Sequence, residues 1–147
     1  MKLSQAINKP HQYDFFVSGR WRNRDNILAL TKNMRKKGYS VYCFLEAAHS
    51  TERITEDPEE NMKKFEKLDW RNDPYVNEVF NTDMDGEKNS DRFVMLLPSD
   101  KSCHIEAGIA YGMGKKCILI GEQKQAESLY LIFDEVYPSE KEFLNSI

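Results

Sequence analysis

Apolar runs of strand length alternate along this sequence with segments in which apolar residues recur at helical spacing. Strands are predicted at 13–19, 39–46, 91–98 and 116–121, with a shorter one at 133–137. The run at 91–98, DRFVMLLP, is apolar almost throughout, which is typical of a strand buried on both faces. The alternation predicts an α/β fold with a parallel sheet between two layers of helices, in which ligands bind beyond the carboxyl ends of the strands.

Helices are predicted between these strands. The first ends at Gly38, and the second covers 73–90 and is expected to fray around Gly86. The third covers 103–113. Its predicted apolar stripe consists of Ile105, Ile109 and Met113. Short helices are predicted near the end of the chain, at 125–132 and 139–147.

The segment 47–72 differs from the rest because it is densely charged. Asp57-Pro58 is typical of a helix start, and the residues that follow have a thin apolar stripe of Met62, Phe65 and Leu68. We therefore expect a surface excursion that covers a site, rather than a layer of the core. With 147 residues and no internal repeat, the chain 1–147 is predicted to be a single domain.

Composition and charge exclude several classes of protein. Hydrophobic residues make up 40% and charged residues 31%, as in a globular chain, and the net charge of −3 gives no general attraction to nucleic acid or to an anionic membrane. Three cysteines without a paired spacing or a His/Cys cluster argue against both a disulfide framework and a metal site. Because the start MKLSQAINKPHQY lacks the apolar core of a signal peptide, we expect a cytoplasmic protein.

The stretch SGRWRNR follows the first predicted strand and is a candidate anion site. Gly19 would let a ligand approach the backbone just before a helix N-terminus, where N–H groups and the helix dipole favour a phosphate or carboxylate. The arginines that would assist are Arg20, Arg22 and Arg24. An ordinary structural role is equally open, in which they are solvated or pair with Asp25 and Glu46.

Glu106 is an isolated acid in a segment rich in apolar and glycine residues. In a helix over 103–113 it lies in the first turn and has no cation three or four residues away, so the helix dipole would favour its ionised form. Asp100 stands six residues earlier, in the loop between strand and helix. Two interpretations are open: the two carboxyls share one pocket, or Asp100 or Ser102 is a helix N-cap and Glu106 an ordinary first-turn acid.

Two stretches, FFVSGRWR and DRFVMLLPSDKSCHIEAGIAYGMGKKCILI, together resemble the nucleoside 2-deoxyribosyltransferases and the related deoxynucleoside 5′-monophosphate N-glycosidases. The matching features, in order, are a first strand that ends in glycine, SD before an apolar strand, then EAGIA, and GKK before the next strand. The likeness extends over most of the chain except 47–72. It implies a flavodoxin-like (Rossmann-like) fold, no cofactor, and cleavage or exchange of the N-glycosidic bond of a (deoxy)nucleoside or nucleotide.

The resemblance also implies catalytic roles for two acids. Glu106 matches the nucleophile, which would attack the anomeric carbon of the sugar, and Asp83 matches the helix acid that protonates the leaving base. The segment around Asp83, TDMDGEKNSD, is unusually polar, so Asp85 or Glu87 is an equally open choice for the acid that faces the site.

The candidate substrate-binding residues are Phe16, Gly19, Arg20, Arg22, Asp100 and Ser102. By the resemblance, Asp100 would hold the 5′-hydroxyl and Arg22 would contact a 5′-phosphate, so the state of the 5′-end stays open. Phe16 stands where the family has a tyrosine that positions the nucleophile, which predicts that Glu106 lacks a hydroxyl partner. Ser102 and Cys103 replace a glycine and a threonine of the family pattern.

Two functions follow. The first is an enzyme acting on a small-molecule nucleoside or nucleotide through Glu106, assembled as a homodimer or larger homo-oligomer in which the neighbour's segment 128–147 completes the pocket. The second is a non-catalytic nucleotide-binding or sensing module of the same fold. Metal-dependent or cysteine-based chemistry ranks low, because Cys103 and His104 point about 100° apart on a helix and His11 and His49 have no ligand spacing.

Overall fold

The computed structural model of this protein describes residues 11–51 and 53–147. Within these residues, strands form one parallel sheet in the order β2-β1-β3-β4-β5. The strands are β1 (Tyr13–Ser18), β2 (Val41–Cys43), β3 (Ser90–Leu96), β4 (Lys116–Ile120) and β5 (Glu135–Tyr137). This all-parallel order is that of the flavodoxin-like fold, so the predicted fold class is confirmed.

Helices cover both faces of this sheet. They are α1 (Arg24–Lys36), α2 (Ala48–Thr51), α3 (Pro58–Glu66), α4 (Pro74–Lys88), α5 (Lys101–Gly112) and α6 (Glu140–Ser146). One core cluster packs residues of α1 and α6 against one face of the sheet, and a second cluster packs α5 against the other. Because β1 lies between β2 and β3, its carboxyl end is held from both sides.

The second strand is shorter than its sequence indicates. The apolar residues after Cys43 leave the sheet and form a 3-10 turn at Phe44–Glu46, so the predicted strand over 39–46 is wrong at both ends. The chain then enters α2. Near the end of the chain, the residues predicted as a helix over 125–132 form a 3-10 helix at Ser128–Ile132 instead.

Helix α5 packs on the sheet through small side chains. Its buried residues are Cys103, Ala107 and Ala110, which let the helix axis approach the strands closely. The predicted stripe is therefore wrong as the core face: Ile105 is 64% exposed and Met113 42% exposed.

Helix α4 is continuous through Gly86, so the predicted fraying there is also wrong. A Cβ at Gly86 would lie 2.6 Å from ring carbons of Tyr42, and the glycine thus lets the helix rest directly on that ring. Tyr42 in turn stacks on Phe16, its register partner in β1, with ring centroids 5.3 Å apart. This contact fixes the last turns of α4 against the sheet.

The charged segment 47–72 contains α2 and α3. Helix α3 begins where the sequence indicated: Asp57 accepts hydrogen bonds from the backbone N–H groups of Glu59 and Glu60, and Pro58 is the first helical residue. None of the helices in the two described ranges has the length and apolar character needed to cross a membrane.

Candidate active site

A cavity of about 450 Å³ opens beyond the carboxyl ends of β1, β2 and β3. Its inner wall, defined here as Gly19, Asp83 and Glu106, lies on segments packed against the sheet. Its outer wall, defined as Arg53, Met62, Phe65 and Glu66, comes from the segment 47–72. Parallel sheets place their ligand sites at this edge, so the cavity is the candidate active site.

Glu106 reaches the cavity from the second turn of α5. The helix begins at Lys101, which makes Glu106 its sixth residue, so the prediction of a first-turn acid is wrong. Burial raises the pKa of Glu106 to about 8, and the neighbouring carboxyls of Glu87 and Asp83 add to the effect. The prediction that the helix dipole keeps this carboxyl ionised is therefore wrong as well, because desolvation is the larger influence.

Ser18 supplies the hydroxyl partner that the sequence suggested was missing. Its Oγ donates a hydrogen bond of 3.1 Å to Oε1 of Glu106. This bond opposes the upward shift of the Glu106 pKa. The prediction that Glu106 lacks a hydroxyl partner is thus wrong. Phe16 has no hydroxyl, but a serine two residues further along the same strand provides one.

Asp83, on the same inner wall, is held by two side chains. The hydroxyl of Tyr42 donates to Oδ1 of Asp83 at 2.7 Å, and Nε2 of His49 donates to the same oxygen at 3.2 Å. Ser50 donates to Nδ1 of His49 at 2.9 Å and so fixes the ring. Burial, with Asp83 nearby, raises the pKa of the Tyr42 phenol, which keeps it a hydrogen-bond donor.

The three acids in the second half of α4 occupy different environments. Asp83 lines the cavity, whereas Asp85 is exposed on the outside of the helix. Glu87 is completely buried, and neither oxygen of its carboxyl has a hydrogen-bond partner among the described residues. Burial raises the pKa of Glu87 to about 7, with Lys115 acting in the opposite direction. Asp83 is the acid of this helix that faces the cavity.

Asp100 and Arg20 line the cavity, whereas Arg22 does not line it but lies beside Asp100. Nη1 of Arg20 is 3.8 Å and Nη1 of Arg22 is 3.9 Å from the Asp100 carboxylate. Asp100 occupies the N-cap position of α5, but its side chain makes no capping hydrogen bond. Arg22 also binds both carboxylate oxygens of Glu59 on α3. These pairings differ from the partners suggested by sequence, since Glu46 pairs with Arg35 instead.

The remaining candidates lie in different places. Gly19 and Ser102 line the cavity. A Cβ at Gly19 would lie 2.5 Å from Cδ1 of Ile27, so a larger residue there would require the Ile27 side chain to move. Phe16 is fully buried between Tyr42 and Phe93 and is not among the residues that line the cavity.

In the part of the chain that the structure describes, no group of three or more His, Cys, Asp or Glu residues is arranged to hold a metal ion. The free cysteines there, Cys43, Cys103 and Cys117, are all buried. Burial raises the pKa of each thiol. A buried thiol of raised pKa is a packing residue and a poor nucleophile.

Sequence reasoning missed the three residues whose side chains hydrogen-bond to Glu106 and Asp83: Ser18, Tyr42 and His49. Ser18 had a usable signal, because it is the last residue before the strand-end glycine and lies on the same face of β1 as Phe16. The contributions of Tyr42 and His49 depend on strand register and on the path of the chain after β2. The sequence has no local signal for either.

Comparisons with known proteins agree with this fold. The 2-deoxyribosyltransferase of the psychrotolerant bacterium Bacillus psychrosaccharolyticus superposes with a TM-score of 0.63 at 13% identity, over 89% of this chain and 90% of that chain. The CMP N-glycosidase BcmB of Clostridium botulinum aligns over 90% of this chain and 96% of that chain, at 22% identity and a TM-score of 0.49. No protein-family model and no curated protein matches the chain. At these identities the first likeness establishes the fold, so the resemblance seen in the motifs is confirmed at that level.

Proposed function

We propose that this protein cleaves or exchanges the N-glycosidic bond of a nucleoside or nucleotide. The observation that supports this most directly is that Glu106 and Asp83 line the same cavity from two different helices. An oxocarbenium-like transition state needs a carboxylate at the anomeric carbon and a proton donor or hydrogen-bonding group at the leaving base. The shared fold with a 2-deoxyribosyltransferase agrees with this chemistry but does not by itself establish it.

The proposed reaction has two steps. In the first, an oxygen of ionised Glu106 forms a bond to the anomeric carbon while the bond to the base nitrogen breaks, and its electron pair leaves with the base, which takes up a proton. In the second, water or another base attacks the same carbon and releases Glu106. Asp83, held by Tyr42 and His49, is proposed to act at the base.

The cavity is incomplete in one respect that bears on assembly. No residue after Ile109 lines it among the described parts of the chain. We therefore keep the proposal that the protein forms a homodimer or larger homo-oligomer in which the segment 128–147 of a neighbour completes the site. A cytoplasmic location likewise remains a prediction from the sequence.

Base release decides the proposed function. The native protein is incubated with a panel of ribonucleosides, deoxynucleosides and their 5′-monophosphates, and free base is measured by chromatography beside a Glu106→Ala variant. We expect the native protein to cleave at least one substrate and the Glu106→Ala variant to cleave none. The proposal fails if the native protein cleaves no member between pH 6 and 9.5. The panel also determines whether the 5′-end is a hydroxyl or a phosphate.

One observation favours the second candidate, a non-catalytic nucleotide-binding module. A carboxyl whose pKa is about 8 is mostly protonated at neutral pH, and a protonated carboxyl is not a nucleophile. If the protein is such a module, a nucleotide should raise its melting temperature without turnover at any pH. The Glu106→Gln variant should retain this stabilisation. Turnover that increases toward alkaline pH would instead support the enzyme.

A further inference from the structure

The carboxyl of Glu106 has mostly acidic neighbours. From α4, Asp83 and Glu87 face it, and on its own helix the thiol of Cys103 lies nearby. Burial disfavours a negative charge on Glu106 most strongly, and the carboxyls of Glu87 and Asp83 add to this effect. The described residues place no cation against this carboxyl to offset these effects. Its environment is therefore unfavourable for the ionised form that nucleophilic attack requires.

Ser18 is the exception. The hydrogen bond from its Oγ to Oε1 of Glu106 is the one that the described residues donate to this carboxyl. A hydrogen bond to an ionised acceptor is stronger than one to a neutral group, so it stabilises the charged form selectively. Ser18 is thus the neighbour that favours ionisation.

The position of Ser18 is well defined by the sheet. It is the last residue of β1, is almost fully buried, and aligns with Met95 of β3. Because successive side chains of a strand alternate between faces, Ser18 lies on the face of Phe16, toward α5. The hydroxyl therefore approaches Glu106 from a central strand of the sheet, and its direction does not depend on a surface loop.

We propose that Ser18 is the positioning residue for Glu106: its hydroxyl orients the carboxyl and favours the ionised form, which is the form used for attack. The part of this inference that concerns nucleophilic attack rests on the proposed function. The rest of it rests on the observed hydrogen bond. It assigns to a serine at the end of β1 the hydroxyl contact that Phe16 cannot make.

The titration of Glu106 tests this without any substrate. Protein labelled with 13C at the glutamate side-chain carboxyl is titrated by NMR, and the Glu106 signal is assigned by its absence from Glu106→Gln. We expect Ser18→Ala to raise the titration midpoint of Glu106 by about one pH unit, the lower range for losing a hydrogen bond to a charged group. Glu87→Gln removes a neighbouring acid and is expected to lower the midpoint.

Cys117→Ala is the packing control. It removes one sulfur atom from the same buried cluster, behind α5 and away from the cavity, and should leave the midpoint of Glu106 unchanged. A midpoint in Ser18→Ala equal to that of the native protein would overturn the proposal, as would an equal shift in Cys117→Ala.

Kinetics on a substrate found in the base-release panel give the second readout. At pH 7, Ser18→Ala should reduce kcat about tenfold with little change in KM, and the loss should shrink as the pH rises above the new midpoint. A loss that is the same at every pH would contradict the proposed role. If no substrate is cleaved, the proposed function fails, while the NMR titration still decides whether Ser18 controls the proton of Glu106.

Discussion

The two walls of the cavity are built differently. On the inner wall, Glu106 and Asp83 extend from helices packed on the sheet, and each accepts hydrogen bonds from buried or partly buried partners. The outer wall comes from a charged segment whose helices are only four and nine residues long. Its apolar side chains remain partly exposed, as with Phe65 at 38%. From this difference we propose that the inner wall performs the chemistry and that the outer wall selects the ligand.

Among substitutions that distinguish the two walls, Asp83→Asn on the inner wall is expected to have the largest effect on activity. The amide cannot donate or receive a proton at the base, so kcat should fall by roughly 10²-fold to 10⁴-fold. The loss should be much smaller for a 4-nitrophenyl glycoside, whose leaving group departs without protonation. Steady-state kinetics on both substrates measure the difference.

Asp85→Asn is the matched control, because this acid lies two residues further along α4 and is exposed. Its activity should equal that of the native protein. Equal losses in the two variants, or an equal loss on both leaving groups, would mean that Asp83 has no role at the base.

The pH dependence of kcat/KM tests the role of Glu106 on the inner wall. Since the pKa of Glu106 is about 8 and attack needs the ionised form, kcat/KM should rise roughly tenfold per pH unit below pH 8 and level off above it. From pH 6 to pH 8 this amounts to about 50-fold to 100-fold. An activity that instead declines through pH 8 would identify Glu106 as a proton donor and contradict its role as nucleophile.

A smaller effect is expected on the outer wall. Phe65→Ala removes an apolar contact worth roughly 1 to 1.5 kcal/mol to a bound ligand, which corresponds to a rise in KM of about tenfold at unchanged kcat. Trp70 belongs to the same segment, is more exposed and does not line the cavity, so Trp70→Ala should be silent. A change in kcat with Phe65→Ala would contradict the proposal that the outer wall selects the ligand and takes no part in the chemistry.

The smallest effect concerns the start of α3. Asp57→Ala removes the acceptor for two backbone N–H groups and should weaken this helix by about 1 kcal/mol, with a twofold to threefold rise in KM. As a control, Gly38→Ala places a side chain at a backbone φ of 96°, at the end of α1, and Gly38 does not line the cavity. It should lower the melting temperature without affecting KM, and a similar rise in KM there would show that the effect is general destabilisation.

The sequence predicted the sheet and the edge at which the cavity opens. It succeeded there because strand alternation and strand-end glycines are local signals. It failed where packing decides. In α5 the large apolar residues suggested the wrong face, since the small residues Cys103, Ala107 and Ala110 are the ones that contact the sheet. The predicted start of that helix is two residues too late, and the expected charge state of Glu106 is wrong because the sequence contains no measure of its burial.

The hydroxyl groups of the site show the same limit. Phe16 indicated a lost contact because only the aligned position was considered, whereas Ser18 faces the same side of β1 and provides the contact. Tyr42 reaches Asp83 only because β2 aligns it with Phe16 and Gly86 leaves room for its ring. Both relations join residues that are distant in sequence, and periodicity within a segment contains no information about them.

Trapping the covalent intermediate tests the central claim most directly. The protein is incubated with a 2′-deoxy-2′-fluoro analogue of a nucleoside or nucleotide that it cleaves, digested with a protease, and examined by mass spectrometry. If Glu106 is the nucleophile, the sugar mass appears on the peptide that contains Glu106, and it is absent from Glu106→Gln. Cleavage of the analogue with no adduct, or an adduct on any other residue, would contradict the account.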